Sequence, residues 1–271
     1  MNIELSLIGI GTGHPDHITR QGVAALNRAQ LILVPLKGED KAELADVRLG
    51  LCRELIAPDG DTTVATFDMP VRQGAETDYH GAVDRWHDAI AHIWLDTIAA
   101  HLPHGGRVGL LVWGDPSLYD STLRIAQRLA RQVSLTTTVV PGITALQALT
   151  AAHAMPLNDI NAPVLITTGR QLRERGWPDS ADTVAVMLDG HCAFQGLDPA
   201  GLHIWWGAYL GMPHQLCISG ALAAVGPTIL RERAAARALH GWIMDTYLLK
   251  RTTADLKPGC EAIDKETPHG N

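Results

Sequence analysis

Leu110-Leu111-Val112-Trp113-Gly114-Asp115-Pro116-Ser117-Leu118-Tyr119 and, further on, Val139-Val140-Pro141-Gly142-Ile143-Thr144-Ala145 decide how this chain is read. Each is an apolar run that stops in a Gly/Pro turn and gives way to helix-forming sequence. Strand–loop–helix units of this kind bring loop backbone to the carboxyl edge of a parallel sheet, where open α/β sheets bind ligands. Two in series suggest one ligand cradled largely by main chain. A third loop, Gly9-Ile10-Gly11-Thr12-Gly13-His14-Pro15-Asp16, follows the first apolar run, Ile3 to Ile8.

Around these loops the sequence alternates between strand and helix patterns. Helices are expected from about Asp16 to Arg28, Asp40 to Leu55, Ser117 to Arg131 and Ile143 to Ala152, with strands at Leu31 to Val34, Thr63 to Phe67, Arg107 to Trp113 and Leu135 to Val140. In Tyr79 to His101 the apolar residues Val83, Trp86, Ile90, Ile93, Trp94 and Ile98 recur at three- and four-residue steps, which predicts a long amphipathic helix. Such alternation predicts a mainly parallel sheet covered on both faces. The rhythm resets around Met155-Pro156-Leu157-Asn158. A second strand set follows at Val164 to Thr168, Thr183 to Leu188, His203 to Tyr209 and Gln215 to Ser219, with helices between the first three and a closing helix over Arg231 to Arg251. Two α/β lobes are therefore expected, residues 1–156, with a mainly parallel sheet, and residues 157–271. The polar tail from Thr252 is expected to fray.

Composition narrows the function classes. The chain has 271 residues, 46 % of them hydrophobic, and a net charge of −7. A real core can be buried, and the acidic balance without a basic run argues against a nucleic-acid partner. The longest apolar runs are too short to span a bilayer. Four cysteines (Cys52, Cys192, Cys217, Cys260) are scattered without a C-x-x-C pair, which suits reduced thiols in a cytoplasm. Thirteen histidines invite a metal reading. His101 and His104 flank Pro103, however, and His80, His87 and His92 lack the four-residue helical spacing of a zinc pair, so no metal site is expected.

The loops also carry structural readings. The first fails the dinucleotide fingerprint G-x-G-x-x-G, because its third glycine would fall at His14. Asp115 can cap a following helix, Pro116 suits a first helical turn, and Thr144 is a plausible cap. Capping leaves unexplained the glycine placed directly before Asp115 at a sheet edge.

The set GxGxG, then G-D-P-x-x-Y, then V-P-G-I-T-A resembles the tetrapyrrole (cobalamin/sirohaem) methylases, over nearly the whole chain. Four further stretches sharpen the resemblance: Tyr79 to Asp88, Thr167-Thr168-Gly169-Arg170, Val186-Met187-Leu188-Asp189-Gly190 and Gly241 to Leu248. They point to the branch that methylates C1 of precorrin-5 and releases the C20-derived acyl group as acetate in cobalamin synthesis. The resemblance implies a mixed sheet in the second lobe and an active-site cleft between the two lobes, with S-adenosylmethionine as methyl donor, S-adenosylhomocysteine as product, and a homodimer. It implies donor contacts at Trp113, Gly114, Asp115, Leu118, Thr144 and Ala145, at Met187 or Leu188, and near Ala208. The family's first loop carries Pro where this chain has Thr12. Relatives that methylate uroporphyrinogen place an acidic residue after the second strand, where this chain has Pro35.

A reduced tetrapyrrole carries many carboxylates, for which Arg20, Arg124 and Arg170 are candidate partners. Loss of an acyl group needs water or hydroxide at a carbonyl and some group to manage protons. His14, Asp16, Tyr119 and Asp189 are the candidates, and the sequence does not choose among them. A macromolecule methylase of the same fold and a non-catalytic nucleotide-binding module remain as alternatives.

Overall fold

In the computed structural model, residues 1–36, 42–71 and 79–252 are described. The first sheet contains β1 (Asn2–Gly9), β2 (Leu31–Leu36), β3 (Thr63–Asp68), β4 (Gly105–Val112) and β5 (Ser134–Val140). Its order is β3-β2-β4-β1-β5 and every pairing is parallel. The helices between its strands are α1 (Arg20–Arg28), α2 (Ala42–Leu55), α3 (Tyr79–His101) and α4 (Thr122–Leu129). The central strands are apolar on both sides because both faces are covered: Leu5, Leu7, Val108, Leu110, Ile90 and Trp94 pack on one face, and Ile8, Ile32, Leu111, Leu26 and Leu51 on the other. Pro35 is tolerated within β2 because the pairing with β4 ends at Leu33.

The second sheet contains β6 (Val164–Thr168), β7 (Thr183–Met187), β8 (Leu202–Ala208), β9 (Leu216–Ala221) and β10 (Asp245–Arg251), in the order β6-β7-β10-β8-β9. The β6–β7 pairing is parallel and the rest are antiparallel, so this sheet is mixed. α5 (Ala145–Ala152) follows β5 but packs Leu146, Ala148 and Leu149 against Ala185, Leu210 and Leu248 of the second sheet's side. α6 (Gly169–Arg175) links β6 to β7, and α7 (Leu222–His240) links β9 to β10.

The long helix over Tyr79 to His101 has the bounds its periodicity predicted. Several expectations are corrected. The first helix begins at Arg20, where Thr19 Oγ1 accepts from Gly22 N–H at 3.0 Å; Pro15–His17 forms a separate 3-10 turn. The helix expected from Ser117 begins at Thr122, because the Asp115 and Asp120 side chains each take the N–H two residues on and hold 113–121 as a loop. Only a 3-10 turn, Ala193–Gly196, lies between β7 and β8. The expected closing helix over Arg231 to Arg251 is in fact the end of α7, stopped by Gly241 at φ +75°, followed by the strand β10. The expected start of the second helix at Asp40, Cys260, and the tail from residue 253 lie outside the described residues.

Candidate active site

In the first sheet's register, the carboxyl ends of β1, β4 and β5 lie side by side, with Gly9 opposite Val112 and Ile8 opposite Val140. The three loops that leave them therefore emerge together. Gly11 and Gly114 exchange backbone hydrogen bonds, Gly114 N–H to Gly11 O at 2.7 Å and Gly11 N–H to Gly114 O at 3.3 Å. A methyl group on Gly142 would stand 2.1 Å from Gly114 O and 2.8 Å from Gly9 Cα, so no larger residue fits between the loops.

Asp115 fastens the assembly. One carboxylate oxygen accepts from Gly142 N–H at 2.8 Å, and the other from Ser117 N–H at 2.8 Å and Ser117 Oγ at 2.5 Å. Burial, the strongest single influence on its pKa, works to raise it. The hydrogen bonds from the Ser117 hydroxyl, Gly142 N–H and Ser117 N–H together outweigh that and hold it below its ordinary value. Thr144 caps α5 in a capping box with Gln147, so the third loop is anchored at its far end too.

Over these loops lies a cavity of about 380 Å³, within the roughly 300–1,000 Å³ range of small-ligand sites. Thr12, Trp113, Gly114, Asp115, Leu118, Thr144 and Ala145 line it from the first sheet's loops, and Met187 and Leu188 from the end of β7. Ala208 does not line it; it is fully buried at the end of β8, and its neighbour Tyr209 forms the wall instead. Further wall comes from Leu44, Asp120, Leu210, Met212 and the Trp242 to Thr246 segment. Three non-glycine residues of this wall, Tyr119, Leu188 and Tyr209, hold left-handed backbone (φ 49°, 53° and 51°). Each costs on the order of 1 kcal/mol or more, a strain typical of ligand sites.

Arg48, on α2, also lines the cavity, and no spacing in the sequence singled it out. Only 5 % of it is exposed. Its Nε donates to Leu111 O at 3.1 Å and Nη1 to Leu44 O at 2.8 Å, and its guanidinium stands 5.8 Å from the Trp113 ring centroid. It thus bonds to carbonyl oxygens where a buried cation would ordinarily meet a carboxylate. Burial lowers its pKa to about 10, with Asp120 opposing the shift. The arginines singled out by sequence, Arg20, Arg124 and Arg170, are exposed and stand outside this cavity.

The four acid–base candidates separate. Asp189 is buried and committed: its oxygens accept from His191 N–H (3.1 Å), Ala193 N–H (2.6 Å) and Tyr247 O–H (2.6 Å), and it does not line the cavity. Asp16 is exposed, and His14 borders a second cavity with Glu54 and Met212. Tyr119 lines the main cavity, and burial raises its pKa above the ordinary phenol value.

A cavity of backbone turns at the carboxyl edge of a parallel sheet, closed by a second, mixed sheet, defines the class. The chain belongs to the tetrapyrrole (corrin/porphyrin) methylases, whose family model matches residues 4–226. It is 47 % identical over 250 residues to the precorrin-6A synthase (deacetylating) of a Sinorhizobium species, which covers 92 % of this chain and 95 % of that enzyme. Its structure superposes with a TM-score of 0.77 on a crystal structure of a cobalamin-synthesis-related protein, CobF, from Corynebacterium diphtheriae, at 36 % identity, covering 93 % of this chain and 99 % of that one. The fold is shared with the uroporphyrin-III C-methyl transferase of Thermus thermophilus, solved with S-adenosyl homocysteine (TM-score 0.55, 19 % identity, 91 % of this chain and 97 % of that one).

Proposed function

We propose that this chain transfers a methyl group from S-adenosylmethionine to C1 of precorrin-5 and releases acetate, giving precorrin-6A and S-adenosylhomocysteine. The observation that carries the reading is the single cavity assembled from the three glycine loops in a chain 47 % identical to an enzyme of that name. The donor site comprises Thr12, Trp113, Gly114, Asp115, Leu118, Thr144, Ala145, Met187 and Leu188, with Ala208 as packing behind Tyr209. Lobes 1–156 and 157–271 each contribute wall to it.

A sulfonium donor supplies a methyl carbon that is already electrophilic, so the protein's task is to align it with the acceptor carbon and keep water away. Main-chain turns fixed by Asp115 and Gly142 suit alignment, and Trp113, Leu118, Leu210 and Met212 exclude water. Arg48 supplies a buried positive charge for a carboxylate of the bound ligands. Acetate release consumes one water: oxygen attacks the acyl carbonyl, the bond to the macrocycle breaks, and the ring carbon takes back a proton. Tyr119, protonated at neutral pH, is the one of the four candidates on the cavity and is assigned as that proton's donor. Tyr119→Phe is expected to accumulate methylated product that retains the acyl group, seen by mass spectrometry. Prompt acetate release in this variant removes the assignment.

The chain is further proposed to act in the cytoplasm as a homodimer. Among the described residues no helix is long and apolar enough to cross a membrane, and Cys52, Cys192 and Cys217 are free thiols. The edge strands leave apolar side chains in solvent, Val139 on β5 and Leu165 and Ile166 on β6, as a subunit contact would require. The deciding experiment incubates the protein with methyl-labelled S-adenosylmethionine and precorrin-5 and weighs the product. Calorimetry showing no uptake of S-adenosylhomocysteine, or no label in the macrocycle, overturns the reading.

A further inference from the structure

Glu43, His214 and His240 stand far apart in sequence and meet beside cavity-wall residues, among them Tyr209 and Trp242. Glu43 is in the first turn of α2, His214 in the turn between β8 and β9, and His240 is the last residue of α7. One ligating atom of each lies within 4.8 Å of the other two. Glu43 Oε1 is 3.7 Å from His214 Nε2, while its other oxygen accepts from Trp242 Nε1–H at 2.9 Å. That second bond orients the carboxylate as outer-shell partners orient metal ligands. His214 Nε2 is buried and has no hydrogen-bond partner among the described residues, a costly state for an imidazole nitrogen that faces two other donor groups. The two imidazoles are stacked, centroids 4.2 Å apart and 18° from parallel, with Tyr209 edge-on to His214 at 4.4 Å.

We propose that Glu43, His214 and His240 form a two-histidine, one-carboxylate site for a divalent transition metal, Zn²⁺ being the best match to two imidazole nitrogens and one carboxylate oxygen. A solvent molecule completes the tetrahedron. Nitrogen and oxygen ligands on a tetrahedral ion sit about 3.3 Å apart, so the present cluster must contract and the two rings must turn out of their stack. The site joins α2, which follows a strand of the first sheet, to two elements of the second. Its neighbours Leu44, Tyr209 and Trp242 are cavity wall, so an ion here fixes that wall in place. The inference does not depend on the proposed reaction, since it concerns the metal alone.

The test is a titration of ZnCl2 into tag-free, chelator-treated full-length protein without donor or precorrin. Expected are one ion per chain, a change in tryptophan fluorescence from Trp242, and a rise in Tm of about 5–10 °C at a hundredfold excess over Kd. Glu43→Gln keeps an oxygen acceptor for Trp242 but loses the charge. It and His240→Ala are each expected to weaken binding at least tenfold while melting, metal-free, close to the parent. His92→Ala, an exposed histidine on α3, is expected to leave binding unchanged. Absence of stoichiometric binding, or binding of unaltered strength in both Glu43→Gln and His240→Ala, overturns the proposal, the latter by placing the ion on other side chains.

Discussion

Two buried aspartates follow two strands in the same way and serve different ends. Asp115 comes after β4 and Asp189 after β7, and each carboxylate takes two backbone N–H groups and one hydroxyl. The partners of Asp115 include the N–H of Gly142 on a neighbouring loop, so it binds two ligand-facing loops together on the cavity floor. Those of Asp189 lie in its own turn and on β10, through Tyr247, with Arg173 of α6 as an ion-pair partner at 3.7 Å and Gly169 packed so close that a methyl group there would stand 2.2 Å from the carboxyl carbon. Similar hydrogen bonding thus serves a site in one lobe and a core in the other. Both loops border the space between the sheets; the difference lies in which residues reach it, since Asp115 and Thr144 line the cavity, whereas beyond Leu188 neither Asp189 nor the His191 and Ala193 that it holds does.

The comparison breaks most visibly by truncation. Asp115→Ala and Asp189→Ala each leave three donors unanswered and are expected to lose about 3–5 kcal/mol of stability in urea denaturation. Calorimetry on the folded fraction should then separate them. Asp115→Ala is expected to weaken S-adenosylhomocysteine binding by about a hundredfold or more, Asp189→Ala by less than about threefold. Equal loss in both would mean the two turns share one role. Gly142→Ala, which drives a methyl group into Gly114 O, is expected to cost about 2 kcal/mol or more and to abolish donor binding, whereas an alanine at the exposed Gly190, where a Cβ meets open space, should change neither.

Arg48→Met sharpens the contrast further, because it removes a buried charge whose hydrogen bonds, among the described residues, go to carbonyls. Stability is expected to hold or rise, while affinity for the carboxylate-bearing ligand falls about tenfold to a hundredfold, roughly 1.4–2.7 kcal/mol. Comparing the KM values for donor and precorrin shows which of the two supplies the carboxylate. Undiminished affinity for both removes Arg48 from the site.

The smallest effect is in pH. Because Asp115 has a lowered pKa in the folded protein, its ionised form stabilises the fold fully above the unfolded value of about 3.9, and this contribution is lost as pH falls through the folded value. Between pH 5 and pH 3 the parent should therefore lose more stability than Asp115→Asn, by under about 1 kcal/mol. Parallel stability curves for the two proteins would show that the hydrogen bonds from Ser117 and Gly142 do not favour the ionised form.

The strands and glycine turns of the first lobe were legible because each signal is local: an apolar run of strand length, a Gly/Pro stop, a capping threonine at 144. The boundaries that shifted did so where side chains compete with helix geometry, as at Asp115 and Asp120, which capture N–H groups that a helix from Ser117 would need free. β10 is hidden because Asp245 to Arg251 reads along the chain as the tail of a helix. The stop at Gly241 was in the sequence, but the strand's partners, β7 and β8, lie more than thirty residues away.

By itself, then, the sequence determined the family, the parallel first sheet and the loops that meet at its edge, since these depend on short-range pattern and on glycine where backbone approaches backbone. Only the tertiary structure decided that Arg48 faces the cavity, that Asp189 belongs to the core, and that Glu43, His214 and His240 stand together. Those facts depend on distances between residues far apart in the chain, which no spacing along it encodes.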